Sequence, residues 1–387
     1  MNWDNINEIL SASVYQAPEA DMGKAWEQAK VAFRKSIYTV PGAVLCVGVK
    51  GRIVFHKAFG VASVMPNVAP MRENMVFDIG DLTKPLVTSI LAMKLVERGL
   101  LLLDSKVSRI IQTFGTYGKD RMTVRHLLNH TSGCPVTLPY YRQLLKTNPT
   151  IQSALHDISD AIYREIHNGR LDNLPGKTQK YSDIGYIFLG YIMKLITGAS
   201  FDKLVQREIS SALGLQSTGF IDLQKLKREG MEVVSDIIVP TAECQWRKRL
   251  ICGEVFEENA WAMGGVAGHN GIFSTAHEIH EIACELIRCW HGEGNLVNKE
   301  VLRTFWTKDD LLAENRWVLG WETANQECFS AQAVGHNSFT GCSLWIEPEK
   351  EVDIVLLTNR IHPFANADDS ILEELRGKLY KLVLEKL

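Results

Sequence analysis

Phe77-Asp78-Ile79-Gly80-Asp81-Leu82-Thr83-Lys84-Pro85 opens the longest helical pattern in the first third of the chain. The periodicity runs from Leu82 to Arg98 and stops at Gly99, a residue suited to a helix C-terminus. Asp81 and Lys84 are three apart, so one helix face carries both charges. Upstream, Ala43 to Val49 and Ile53 to Phe59 are β-rich runs joined by Lys50-Gly51, the pattern of a hairpin. A helical pattern also covers Asp21 to Lys35, before the breaker Pro41-Gly42.

From about Thr123 to Leu226 the chain reads as helices and loops, with helical pieces at Leu127-Leu128, Ile151 to His167 and Ile184 to Thr197. Strand patterns return after about residue 310, at Cys342 to Ile346 and Val352 to Thr358, and Ser370 to Lys386 closes the chain as an amphipathic helix. Strands, helices, strands and a final helix predict an α/β fold of the α+β type. Its antiparallel sheet is flanked by terminal helices and interrupted by a mainly helical insertion. The expected division is a discontinuous sheet part, 1–80 with 260–387, and a helical part, 81–259.

Composition narrows the function. The 387 residues are 46% hydrophobic and 22% charged with net charge −3, ordinary for a globular protein. A nucleic-acid partner would need a basic face, and the balance is slightly acidic. Runs such as Leu100 to Leu103 fall far short of the ~20 apolar residues of a membrane span. The start, Met1-Asn2-Trp3-Asp4-Asn5, lacks a basic stretch followed by an apolar one. A cytoplasmic location is therefore expected, with a trimmed N-terminus as the alternative. The eight cysteines include no C-x-x-C pair and no zinc spacing, and are expected to be buried thiols. No cofactor or metal is expected. His126 and His130 lack the Glu of H-E-x-x-H and read as structural, and His277 and His280 as surface helix residues.

Five segments together carry a resemblance. They are Thr123-Val124-Arg125-His126-Leu127-Leu128-Asn129-His130-Thr131-Ser132-Gly133, Tyr181-Ser182-Asp183-Ile184-Gly185-Tyr186, Asn259 to His269 with its Gly264-Gly265-Val266-Ala267-Gly268 core, His336-Asn337-Ser338-Phe339-Thr340-Gly341, and Thr358-Asn359-Arg360. In this order they resemble the serine β-lactamase and penicillin-binding-protein superfamily, nearest its class C β-lactamase-like and esterase-like branch. The resemblance implies a β-lactamase/transpeptidase-like fold and hydrolysis of esters or amides through an acyl-serine intermediate. It places Lys84 as the lysine that helps deprotonate the nucleophile and Tyr181 as its acid/base partner. His336 takes the strand position, with Asp183, Asn337, Ser338 and Phe339 at the substrate. The oxyanion donors would be the N–H groups of residue 81 and Phe339.

The nucleophile is missing. Where the family has S-x-x-K this chain reads Asp81-Leu82-Thr83-Lys84. The one other S-x-x-K, at Ser200 to Lys203, follows Tyr181 and starts a different helix. A carboxylate is a poor nucleophile toward esters and amides, and its charge opposes an oxyanion. An ion pair with it should keep Lys84 protonated. Three readings of Asp81 stay open: a helix N-cap neutralised by Lys84 in a pseudoenzyme, a replacement made to trap an inactive state, or a general base for a bound water. Ser338, where H-x-G would have glycine, adds a side chain where backbone must approach substrate. Two function classes follow: an impaired serine hydrolase scaffold, or a binding or regulatory protein holding a peptide or small acyl ligand. The oligomeric state is not legible.

Overall fold

The computed structural model describes residues 3–15, 39–142, 158–233, 236–308, 316–365 and 369–387. The helical pattern at Asp21 to Lys35 lies outside them, as does the first part of Ile151 to His167, whose described remainder is the helix Ser159–Asn168.

A seven-stranded antiparallel sheet is the frame. Its spatial order is Ala69–Pro70, Arg52–Ser63, Gly42–Val49, Val352–Thr358, Ser343–Glu347, Val334–Asn337 and Glu322–Thr323. The predicted hairpin forms its first half, turning at Lys50-Gly51 with both residues at positive φ. The C-terminal strand Val352–Thr358 then pairs with the N-terminal strand Gly42–Val49, from Ala43 opposite Thr358 to Val49 opposite Val352. That pairing makes the two ends of the chain one body.

Strand alternation divides the core. Ala43, Leu45 and Val47 face the terminal helices Asp4–Ser13 and Ser370–Glu385, whose Ile6, Leu10, Leu372, Leu379 and Val383 are buried against them. Val44 and Cys46 face the other way, into a larger apolar core shared with the helices Ile90–Glu97, Asp183–Thr197 and Ala276–His291. No single described helix is long and apolar enough to cross a membrane.

Two expectations are corrected here. His280 is not a surface residue: it is 2% exposed, and its Nδ1 lies 2.9 and 3.0 Å from the two carboxylate oxygens of buried Asp353. Asp353 sits on a central strand opposite Gly48, where a Cβ would meet the imidazole at 2.4 Å, so the glycine makes room for this pair. His280→Ala should strand the carboxylate and lower stability by ~3–5 kcal/mol. Urea unfolding reads this, and Asp353→Leu in the same chain should recover part of it. The cysteines are free thiols, but Cys252 is exposed and Cys328 is half-buried at the edge of the core beneath the terminal helices.

Candidate active site

The local sequence builds each wall of the cleft. Gly80–Leu82 is one tight turn, held where Thr83 Oγ1 donates to Gly80 O at 2.7 Å. Lys84–Ser89 continues as a wider turn of i→i+5 type, a local geometry often found at functional sites, before the regular helix Ile90–Glu97. Tyr181 and Asp183 flank Ser182, the N-cap of the helix Asp183–Thr197, so the cap anchors both functional side chains. The strand Val334–Asn337 turns through Ser338 to Gly341 into Ser343–Glu347. Gly341 has φ +101°, and a Cβ there would lie 2.1 Å from Thr358 Oγ1. Arg360 Nε donates to Phe339 O at 3.2 Å, and Asn359 accepts from Gly42 N at 2.8 Å. The Thr358-Asn359-Arg360 segment thereby ties the Phe339 turn to the sheet.

These elements bring Asp81, Lys84, Tyr181, Asp183, His336, Ser338 and Phe339 together. Asp81 is the hub. Lys84 Nζ donates to its Oδ1 at 2.6 Å and Tyr181 OH to the same oxygen at 2.8 Å. Phe339 N–H donates to Oδ2 at 3.0 Å. The N–H of Asp81 itself donates to Ser338 Oγ at 2.9 Å. Both N–H groups that the family resemblance assigns to an oxyanion are thus occupied by side chains of this chain. Asp81 is not a helix cap: the helix-start N–H groups receive nothing from its carboxylate, which turns toward Phe339 and Lys84 instead.

Ser338 fits because residue 80 is glycine. A Cβ on Gly80, at φ +55°, would lie 2.3 Å from Ser338 Oγ. Gly80→Ala should therefore lower stability by ~1–3 kcal/mol from backbone strain and this clash. Chemical denaturation should show a smaller loss in a Ser338→Gly background, since only the clash is relieved.

Charge is balanced inward. Lys84 is fully buried and also lies 2.8 Å from Asp183 Oδ1 and donates to His269 O at 3.3 Å. Asp183 Oδ1 is buried against this ammonium, so Lys84 is shared between two carboxylates. Burial alone would lower the Lys84 pKa, but the Asp183 and Asp81 carboxylates outweigh it and raise it. Burial likewise opposes ionisation of Asp81, yet Lys84, His336 and the Phe339 N–H hold its carboxyl well below the usual range. Asp183 goes the other way: burial raises it and Lys84 only partly offsets this. Burial, then Asp81 and Asp183, push the Tyr181 phenol well above its ordinary value. Burial lowers His336 to about 4, so its imidazole is neutral at pH 7. Asp78, accepting from Gly80 and Phe256 N–H behind the site, is pushed by burial up to about 6.

His336 Nδ1 lies 2.8 Å from Asn337 O, which makes Nδ1 the protonated nitrogen, and buried Nε2 is left without a partner. Its ring faces Trp317 at 5.0 Å and Tyr181 at 5.9 Å. Asn337, expected at the substrate, turns its side chain away and accepts from Trp345 Nε1 at 3.2 Å, because alternate residues of a strand face opposite sides. His130 is structural yet adjoins the site: it accepts from Ser182 N at 3.1 Å and stacks on Tyr181 at 4.7 Å. His126 caps its own helix with Thr123.

Three neighbours escaped the sequence reading. His269 closes the glycine-rich stretch, is fully buried, and has Nε2 2.8 Å from Glu257 Oε2. Trp317 stacks on Tyr181 at 5.1 Å. The place of a histidine directly after a glycine run is the one sequence signal for the first; Glu257 and Trp317 carry none. Gly268 packs so closely on the helix Asp183–Thr197 that a Cβ would lie 2.3 Å from Tyr186 O, which explains the glycines as scaffold. For metals, His280, Cys284 and Asp353 place ligand atoms within 4.8 Å of one another, but the histidine and aspartate already bond each other.

A sheet crossed by a helical region, with Lys, Tyr and a strand His meeting at the head of a buried helix, defines the penicillin-binding-protein and β-lactamase class of fold. The family model described as Beta-lactamase matches residues 24–377, and the chain belongs to that family. It is 27% identical over 348 residues to a putative D-alanyl-D-alanine carboxypeptidase of Escherichia coli strain K12, covering 83% of this chain and 79% of that one. The corresponding Salmonella typhi protein is 28% identical over 354 residues, covering 84% and 80%. Among solved structures, the octameric penicillin-binding protein homologue from Pyrococcus abyssi superposes with TM-score 0.67 at 21% identity, over 94% of this chain and 76% of that one. EstCE1, a hydrolase with promiscuous acyltransferase activity, gives TM-score 0.67 at 18% identity over 92% and 96%.

Proposed function

We propose that this chain is a non-acylating member of its family, a β-lactamase-like hydrolase scaffold whose cleft binds a ligand reversibly. One observation carries the reading: the Asp81 carboxylate at the nucleophile position accepts the Phe339 N–H, while Ser338 Oγ accepts the N–H of residue 81. A tetrahedral oxyanion would have to displace both. Lys84 is an ammonium held by two carboxylates and serves as a counter-ion, where the family pattern needs a base. Tyr181 stays protonated and donates to Asp81. Asp81 as base for a water is disfavoured by the same contacts, since a carboxylate held so far below its usual range is a weak proton acceptor.

In this reading residues 81–259 and the discontinuous part, 1–80 with 260–387, form the two sides of the cleft. The relatives named as putative D-alanyl-D-alanine carboxypeptidases support a peptide or small acyl compound as the ligand. The test is intact mass after incubation with a fluorophosphonate and with a chromogenic cephalosporin. No adduct is expected on this chain, and a stoichiometric adduct would sink the proposal.

A further inference from the structure

The cleft that gives up its oxyanion donors is left with acceptors. Lys84 Nζ is engaged by Asp81, Asp183 and His269 O. Tyr181 OH, Phe339 N and Asp81 N all donate within the chain. Gln179 Nε2 donates to Asn129 O and Trp317 O, both at 2.9 Å. Arg360 is held by Phe339 O and Asp369. Among the described residues around Asp81, two further ring nitrogens lack partners, and both are buried: His130 Nε2, in an aromatic cluster behind Tyr181, and His269 Nδ1, on the ring paired with Glu257.

Two acceptors stand open instead. The first is His336 Nε2, on a side chain only 1% exposed, with Nδ1 already spent on Asn337 O. The second is the Asp183 carboxylate: its Oδ1 lies against the Lys84 ammonium at 2.8 Å, but among the described residues no donor reaches its Oδ2, and the side chain is 16% exposed. A buried acceptor without a donor costs stability, so a ligand that brings donors gains by satisfying it. Charge points the same way. Asp81 and Asp183 face one ammonium, Lys84, and the adjoining imidazole is neutral, which leaves the floor of the cleft at net −1 when both carboxylates are ionised. Half-buried Tyr181, Trp317 and Phe339 supply aromatic surface around it, and ring faces attract cations.

We propose that the site takes a primary organic ammonium, donating N–H to the Asp183 carboxylate and to His336 Nε2. This deepens the reversible-binding reading and rests on it. The polarity is inverted relative to a site that stabilises an oxyanion: a developing negative charge is opposed, and a positive donor is welcomed. The ammonium would belong to an amine terminus or amino side chain of the bound compound.

The experiment is titration calorimetry with four probes of one size on the native chain at pH 7.5: benzylammonium, benzyltrimethylammonium, benzyl alcohol and benzoate. Benzylammonium is expected to bind at least about tenfold more tightly than benzyl alcohol or benzoate, and more tightly than the trimethyl compound, which has charge but no N–H. Its affinity should fall as salt is raised. Asp183→Asn should weaken it by about tenfold or more while leaving the weak binding of benzyl alcohol unchanged. Benzoate binding as well as benzylammonium, or no binding of benzylammonium at millimolar concentration, overturns the inference; the native-chain series decides this even if the variant fails to fold. A fluorophosphonate adduct on the same sample would instead overturn the non-acylating reading, so the two failures are separable.

Discussion

Asp81→Ser is expected to be acylated by fluorophosphonates and p-nitrophenyl esters faster than the native chain by a factor on the order of 10³ or more. The substitution restores a hydroxyl beside Lys84 and Tyr181 and removes the carboxylate from Phe339 N–H. It also removes one of the two anions holding Lys84 as an ammonium, leaving burial to press its pKa downward against Asp183 alone. The gain should be incomplete. Ser338 Oγ still occupies the N–H of residue 81, so the second oxyanion donor stays blocked. Asp81→Ser with Ser338→Gly should therefore acylate a further ~10²-fold faster, the usual effect of one oxyanion donor. Intact mass against time, on the native chain and both variants, reads this. If neither variant is acylated, the cleft has lost more than its nucleophile; if the native chain reacts as fast as the variants, the argument from Asp81 fails.

Lys84→Met should be the most damaging single change for stability. It leaves the buried carboxylates of Asp81 and Asp183 facing each other without their shared cation, for an expected loss of ~3–5 kcal/mol near pH 7. The Asp81 contribution to the pH dependence should change sign. In the native chain Asp81 is held below its unfolded value. Its contribution is present above the unfolded pKa and is lost only as pH falls through the folded one. In Lys84→Met the folded Asp81 carboxyl rises above its unfolded value and Asp183, already raised by burial, rises further, so these two groups bind more protons in the folded state and their contribution to stability grows as pH falls from 7 toward 5. Urea midpoints at several pH values separate the two slopes. Equal slopes in native and variant chains would remove Lys84 from its place as counter-ion. Asp81→Asn with Asp183→Asn in the Lys84→Met chain should recover most of the loss, since no buried anion then lacks a partner.

Much of this protein is legible in its residues because the signals are local. The hairpin at Lys50-Gly51, the strands before Pro348 and after Lys350, and the closing helix from Ser370 are set by alternation, periodicity and turn residues a few positions apart. The order of the segments around Lys84, Tyr181 and His336 is a linear property too, and so is the absence of serine at residue 81. What that aspartate does is not linear. Its partners Tyr181 and Phe339 are 100 and 258 residues away, and Ser338 is 257. The reading of Asp81 as a helix cap follows local preference, and it loses because two distant donors, Tyr181 OH and Phe339 N–H, join Lys84 on the carboxylate once the sheet and the buried helix meet. Asn337 fails for a related reason: a strand's alternation sends it to the far face, and which face is far depends on where the helices pack. His280 shows the same limit, since periodicity marks a helix face but not the aspartate across the sheet that lets a charged pair lie buried there. Residue order alone determined the fold and placed an aspartate at residue 81, whereas only tertiary packing decided that the N–H groups of Phe339 and of residue 81 are filled from within the chain, by the Asp81 carboxylate and Ser338 Oγ.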